Sequence, residues 1–217
     1  MNILGIVTQT HDSGIAYLKD GRPAYVLEEE RFNREKHTKN FPVMALDAAF
    51  GPGGTHDFRD VDVVTTPWDM NRLRPTVLKS VAANFPASLN LLRPAAHKTQ
   101  TTAIVNLPMR VYLGLAKRYG VTRVPKIVQV AHHHCHASIF FVSPFEEASV
   151  LIMDGYGDET ATSAYLGRGN ALGRTWMDGF FDSLGMLYTL ASEHIGFKAF
   201  EEGTVMALAA CGGPTYA

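Results

Sequence analysis

The stretch Ala131-His-His-His-Cys-His136 puts four of the chain's nine histidines into six positions. Imidazole can bind a metal or move a proton, so spacing has to sort such a run. If a helix begins near His132, then His132 and His136 lie one turn apart and project from one face. Two imidazoles so placed can chelate one divalent ion, with further ligands coming from elsewhere. The zinc-protease form of this spacing has Glu directly after the first histidine as its base. Here that position is His133, which disfavours a protease. His133 and His134 cannot both face an ion held by the outer pair, and Cys135 reads as core or loop. Two polar turns also carry reactive residue types, Thr8-Gln-Thr-His-Asp-Ser-Gly14 and Asp154-Gly-Tyr-Gly-Asp-Glu-Thr160. Turns rich in Gly, Ser and Thr let backbone N–H groups approach phosphate oxygens, and aspartates there can hold a metal or its waters.

The elements that must position these groups follow from apolar patterning. Short apolar runs predict strands at 3–7, 15–18 and 23–27, with Asp20-Gly21 as a hairpin turn. A very polar block, Glu28-Glu-Glu-Arg-Phe-Asn-Arg-Glu-Lys-His37, follows. A helix over 42–50 has proline in its first turn and stops at Gly51. A strand is expected at 61–66. Between 68 and 120 apolar residues recur at helical spacing, but prolines at 75, 86, 94 and 108 divide them. The best helix there is 109–119, closed by Gly120. A strand at 126–130 puts the histidine run just past its end, where open α/β sheets bind ligands. The opening plan then returns: strand 150–153, an acidic Gly-bearing turn, strand 164–166, a Gly turn at 167–170 and strand 172–176. The expected fold class is therefore α/β with duplicated lobes of the actin/hexokinase-like (ASKHA) plan. Residues 1–146 form the first lobe, with a helical, basic segment at about 68–120. Residues 147–217 begin the second, which reads as incomplete because only about 40 residues follow its third strand.

Charge is distributed unevenly. No Asp or Glu occurs from Met70 to Phe145, while Arg72, Arg74, Lys79, Arg93, Lys98, Arg110, Lys117, Arg118, Arg123 and Lys126 all fall there. This is a solvated basic face or a surface for a phosphorylated substrate. Aromatics do not alternate with the bases, so a nucleic-acid groove is not indicated, and the net charge of −1 adds no such signal. Two cysteines are too few for a disulfide scaffold. The start lacks the basic region of a signal peptide, and no apolar run approaches the length of a membrane span. A cytoplasmic protein without a membrane partner is expected. Phe140, Phe141 and Phe145 read as core packing behind the histidines, and Trp68 and Trp176 have no assignable role.

Several blocks together resemble successive signatures of the O-carbamoyltransferase family of nodulation proteins and antibiotic-modifying enzymes. They are His11-Asp-Ser-Gly-Ile-Ala16, Glu28–His37 with Asn40-Phe-Pro42, His132-His-His-Cys-His-Ala137, Ser143-Pro-Phe-Glu-Glu-Ala148, Met153-Asp-Gly-Tyr-Gly-Asp158 and Gly203-Thr-Val-Met-Ala-Leu-Ala209. The resemblance implies an amino-terminal domain similar to tRNA threonylcarbamoyl transferase. It implies a divalent metal, iron first with zinc or manganese as alternatives, on His132, His136 and Asp154. His11, Asp12 and Lys36, with His133 beside the metal pair, are implied as catalytic residues. Ser13, Arg31, Gly155, Gly157, Asp158, Gly203 and Met206 are implied around the nucleotide and substrate. Ala207 stands where the family has Gly, and Ala210-Cys211 where it has Pro-Tyr.

The implied reaction takes carbamoyl phosphate and ATP, with Mg, to a carbamoyl-adenylate and passes the carbamoyl group to a hydroxyl of a small acceptor. The family's carboxy-terminal domain, which processes carbamoyl phosphate, has no room in this chain. The alternatives are a catalytically incomplete homologue that binds nucleotide or metal, and a tRNA threonylcarbamoyl transferase. The Glu28–His37 block resembles the small-molecule branch and speaks against the latter. A homodimer is compatible with all three.

Overall fold

The computed structural model describes residues 1–88, 106–198 and 200–213. It divides into two compact units, Met1–Cys135 and His136–Ala217. Arg93 and Lys98 of the basic segment, and part of its expected helical stretch, lie outside the described residues.

The first unit is built on a five-stranded sheet in the order β3-β2-β1-β4-β5. Its strands are β1 (Ile3–Val7), β2 (Gly14–Lys19), β3 (Arg22–Glu28), β4 (Val63–Thr66) and β5 (Lys126–Gln129). β1, β2 and β3 pair antiparallel, while β4 pairs parallel to β1 and β5 parallel to β4. The expected α/β class is borne out. In β1 every second residue is buried, and Leu4 and Ile6 enter the core, as a strand's period of two requires. Asp20 (φ 50°) and Gly21 (φ 75°) close the β2–β3 hairpin in the left-handed conformation that a tight two-residue turn demands.

Helices supply the rest of this core. α1 is the single turn Glu30–Asn33 and α2 is Val43–Phe50. α3 is Met70–Ala83 and α4 is Leu107–Tyr119. Leu107, Val111 and Leu115 of α4 recur at helical spacing and are fully buried, as are Leu46 of α2 and Leu73 of α3. Burial of each such side chain stabilises by roughly 1.5–3 kcal/mol. Phe41 lies against Gly114, where any side chain would meet its ring. The prolines divide the segment less than expected, because Pro75 sits inside α3. That helix loses one backbone bond at Pro75, while two N–H groups at its N-terminus find side-chain acceptors. The Asp69 side chain accepts from Asn71 N, and Gln129 Oε1 accepts from Met70 N at 2.9 Å.

Past β5 the chain turns into α5 (His132–Ala137), followed by a 3-10 turn at Ser138–Val142. The second unit carries the sheet β6 (Glu147–Met153), β7 (Thr162–Arg168) and β8 (Ala171–Met177), in that order and antiparallel. Helices α6 (Leu184–His194) and α7 (Glu202–Ala209) follow. Phe140 is buried with its ring over Gly167. Phe141 and Phe145 are exposed, which corrects their reading as core: a 3-10 turn buries one face, and Phe140 takes it. Among the described residues no helix is long and apolar enough to cross a membrane.

Candidate active site

Reactive side chains gather around the β1–β2 loop and around α5 with the end of β6. The first grows from the loop between β1 and β2. That loop is pinned to residues 38–40 by backbone bonds from Gln9 N to Lys39 O and from Ser13 N to Thr38 O, both 3.1 Å. Ser13 is fully buried, and its hydroxyl donates to Asn40 O at 2.5 Å. Its role here is to fasten the loop. The residue before each end of the Ser13–Thr38 bond, Asp12 and His37, has positive φ (58° and 55°), an uncommon conformation for such residues.

Asp12 is bridged by two imidazoles. His11 Nδ1 lies 2.6 Å from Oδ2 and His37 Nδ1 lies 2.8 Å from Oδ1. Burial pushes the Asp12 carboxyl up, but hydrogen bonds and charge from His11 and His37 outweigh it and hold the group below 3.8. Glu30 Oε2 accepts the His37 backbone N–H at 3.0 Å. Ligand atoms of Asp12, Glu30 and His37 lie within 4.8 Å of one another.

The three glutamates of the Glu28–His37 block therefore do three different things. Glu28 pairs with Arg31 at 2.9 Å. Glu29, almost wholly buried, accepts from Met44 N (3.1 Å) and Ala45 N (2.8 Å) at the start of α2. Glu30 braces His37. Lys36 and Arg31 are exposed.

The second cluster begins on α5. His132 and His136 stand one turn apart on it, as the spacing predicts. His132 Nδ1 donates to Pro67 O at 3.0 Å, and the His132 ring stacks on Trp68 at 4.1 Å between centroids. That bond places the His132 proton on Nδ1, so Nε2 is the nitrogen that could meet a metal. Trp68 thus gains a place that its sequence position alone did not signal. His133 is 2% exposed.

In the second unit His136 Nε2 lies 3.7 Å from Asp154 Oδ2. Asp154 ends the β6 strand, and its Oδ1 accepts from Gly155 N at 2.6 Å. Ser183, the N-cap of α6, fixes this loop from beneath. Its hydroxyl lies 2.6 Å from Gly155 O and 3.1 Å from Asp154 O, and accepts from Met186 N. Two residues on, Gly185 packs so closely that a Cβ there would sit 2.7 Å from the Asp154 carbonyl and Gly155 N. Gly157 N donates to Thr160 O at 2.7 Å to close the loop, and Asp158 is buried. Gly203 and Met206 are exposed on α7.

Trp68, His37, Glu30, Ser183 and Gly185 are the residues that sequence reasoning missed. For His37 the signal was present: it ends the charged block beside Lys36, a second titratable imidazole in a polar run.

Residues 2–216 match the family described as Carbamoyltransferase N-terminus. An uncharacterized protein of Synechocystis sp. is 33% identical over 218 residues, 99% of this chain and 35% of that protein. Nodulation protein NolNO of Sinorhizobium fredii is 29% identical over 213 residues, 95% of this chain and 28% of that protein. Nodulation protein NolO of Bradyrhizobium diazoefficiens is 34% identical over 84 residues, 38% of this chain and 15% of that protein. The chain spans about a third or less of the length of these relatives. With the match running over all but its first and last residues, the chain belongs to the carbamoyltransferase family, as a carbamoyltransferase amino-terminal domain.

Proposed function

We propose that this chain is the part of an O-carbamoyltransferase that passes a carbamoyl group from an ATP-derived carbamoyl-adenylate to a hydroxyl of a small acceptor. The observation that carries the reading is α5, which bears two imidazoles one turn apart in a chain matching the family over residues 2–216. The reading takes the two sheets as actin-like lobes. The order β3-β2-β1-β4-β5 and the repeat of a three-strand antiparallel run in β6-β7-β8 favour it.

His132, His136 and Asp154 are the residues that would hold a divalent metal. The fit rests on the donor set and on the tautomer. Two imidazoles and one carboxylate suit iron(II), zinc or manganese, and the Pro67 carbonyl fixes the His132 proton on the nitrogen away from the metal. When bound, such an ion supplies Lewis-acid polarisation of an acyl or phosphoryl oxygen. The chain's own residues do the rest. The 154–160 loop, where Gly155 and Gly157 allow close backbone approach, would lie against phosphate oxygens, with the Gly155 and Gly157 amides giving up their acceptors within the loop to do so. Exposed Lys36 and Arg31 would meet the anionic substrate. His11, held by Asp12, would take the acceptor hydroxyl's proton. His133, buried beside the pair, would act from behind it. The reading places the protein in the cytoplasm.

Elemental analysis of purified wild type, His132→Ala and His136→Ala tests the metal assignment. Wild type should carry one equivalent and the variants little, and equal content in all three would sink it. Transfer of radiolabelled carbamoyl groups, assayed on a polypeptide of the relatives' full length with carbamoyl phosphate, ATP and hydroxyl acceptors, tests the reaction. Metal and nucleotide binding without transfer would favour a binding module instead.

A further inference from the structure

We propose that His37 is a positioning residue of this site. It donates Nδ1–H to Asp12 Oδ1 and so fixes the carboxylate whose other oxygen holds His11, leaving His11 Nε2 as the base. The inference rests on the transferase reading for its reaction, and on geometry for its arrangement.

The geometry has three independent parts. An ionised carboxylate only accepts hydrogen bonds. The contacts of 2.6 and 2.8 Å therefore require the proton on Nδ1 of both rings. This makes Nε2 the basic nitrogen of each neutral imidazole. The backbone then holds the pair face to face. Asp12 and His37 both adopt positive φ, and the neighbouring Ser13 N to Thr38 O bond locks the two segments together. Such conformations cost of order 1–3 kcal/mol and persist where the surroundings over-determine them. Finally, Glu30 accepts the His37 backbone N–H and anchors the second imidazole from behind. Two oxygens of one carboxylate thus have two imidazole partners, so the bond from His37 restrains rotation of the group that holds His11.

In the transfer step the acceptor oxygen forms a bond to the carbamoyl carbon, and its proton passes to His11 Nε2. The bond from that carbon to the adenylate phosphate oxygen breaks, and the electron pair leaves with AMP. His11 becomes an imidazolium beside Asp12, which stabilises it. His37 touches no reacting atom. Its contribution is to keep the Asp12 carboxylate from rotating away as charge develops on His11.

Nitrogen-15 imidazole spectra of the 217-residue chain test the arrangement without requiring turnover. Wild type should show His11 and His37 as Nδ1–H tautomers. His37→Phe should convert His11 to a mixed or Nε2–H population, whereas His37→Gln, whose amide N–H can still donate to Asp12, should retain the wild-type tautomer. In a polypeptide of the relatives' full length, His37→Phe should lower kcat by about 10- to 100-fold with KM for the acceptor nearly unchanged, and His37→Gln should recover most of it. A His11 tautomer that ignores His37→Phe overturns the proposal. So does manganese or zinc binding that requires Asp12, Glu30 and His37 together, because those atoms would then be ligands. Absence of transfer by wild type would remove the transferase reading while the tautomer result still decides the arrangement.

Discussion

At the scale of single residues, Asp12 carries the clearest consequence. Its carboxyl is held below 3.8 in the folded chain, with burial opposing and the two histidines prevailing. A group whose folded value is depressed stabilises the fold above its unfolded value, and that stabilisation is lost as pH falls through the folded value. Stability should therefore drop on the acid side from about pH 3.8 downward, and Asp12→Asn should flatten that limb. Urea unfolding at stepped pH reads it, and equal slopes for variant and wild type would count against the pairing. The side chain is 42% exposed, so solvent screens the pair and high salt should shrink the effect.

At the scale of elements, two junctions set the site. Glu29 stands in for a missing N-cap on α2, whose own cap residue is Pro42 and offers no side-chain acceptor. Glu29→Ala should cost about 1–3 kcal/mol, because it leaves Met44 N and Ala45 N without that acceptor. Glu29→Gln, which keeps one carbonyl oxygen, should cost less. Urea midpoints at neutral pH separate the two. Gly185 sets the approach of α6 to the end of β6. Gly185→Ala forces a Cβ against the Asp154 carbonyl and should cost about 1–3 kcal/mol. It should also reduce retained metal more than a substitution of equal cost on the far side of α6, as elemental analysis after dialysis would show.

At the scale of the whole molecule, the two units differ in how much they bury. The first has a continuous core from Leu4 and Tyr17 through Leu46, Val64 and Leu73 to Leu115. In the second, Leu184, Leu187 and Leu190 form an exposed row at helical spacing on α6, with Met206 and Leu208 exposed on α7. Apolar surface of that extent is unusual on a soluble monomer. The 217-residue chain should bind an apolar fluorescent dye while keeping a folded near-ultraviolet spectrum, and Leu187→Gln with Met206→Gln should reduce the signal. A dark wild-type sample would contradict this.

The sequence by itself determined the strand-and-hairpin order, because alternating burial and the Asp20-Gly21 turn are local properties. It also determined the metal-capable pair, since i and i+4 on a helix share a face wherever the helix is placed. Blocks spread along nearly the whole length carried the family. Only the tertiary structure decided which of the charged block's residues reach the site. Glu28, Glu29, Glu30, Lys36 and His37 look alike as a polar run, yet Glu29 caps a helix, Glu30 holds the His37 backbone, His37 meets Asp12, Glu28 pairs with Arg31 and Lys36 faces solvent. Trp68 and Gly185 were invisible for a related reason. They act on His132 and Asp154 by proximity across dozens of residues, and no periodicity in the chain encodes a contact at that separation.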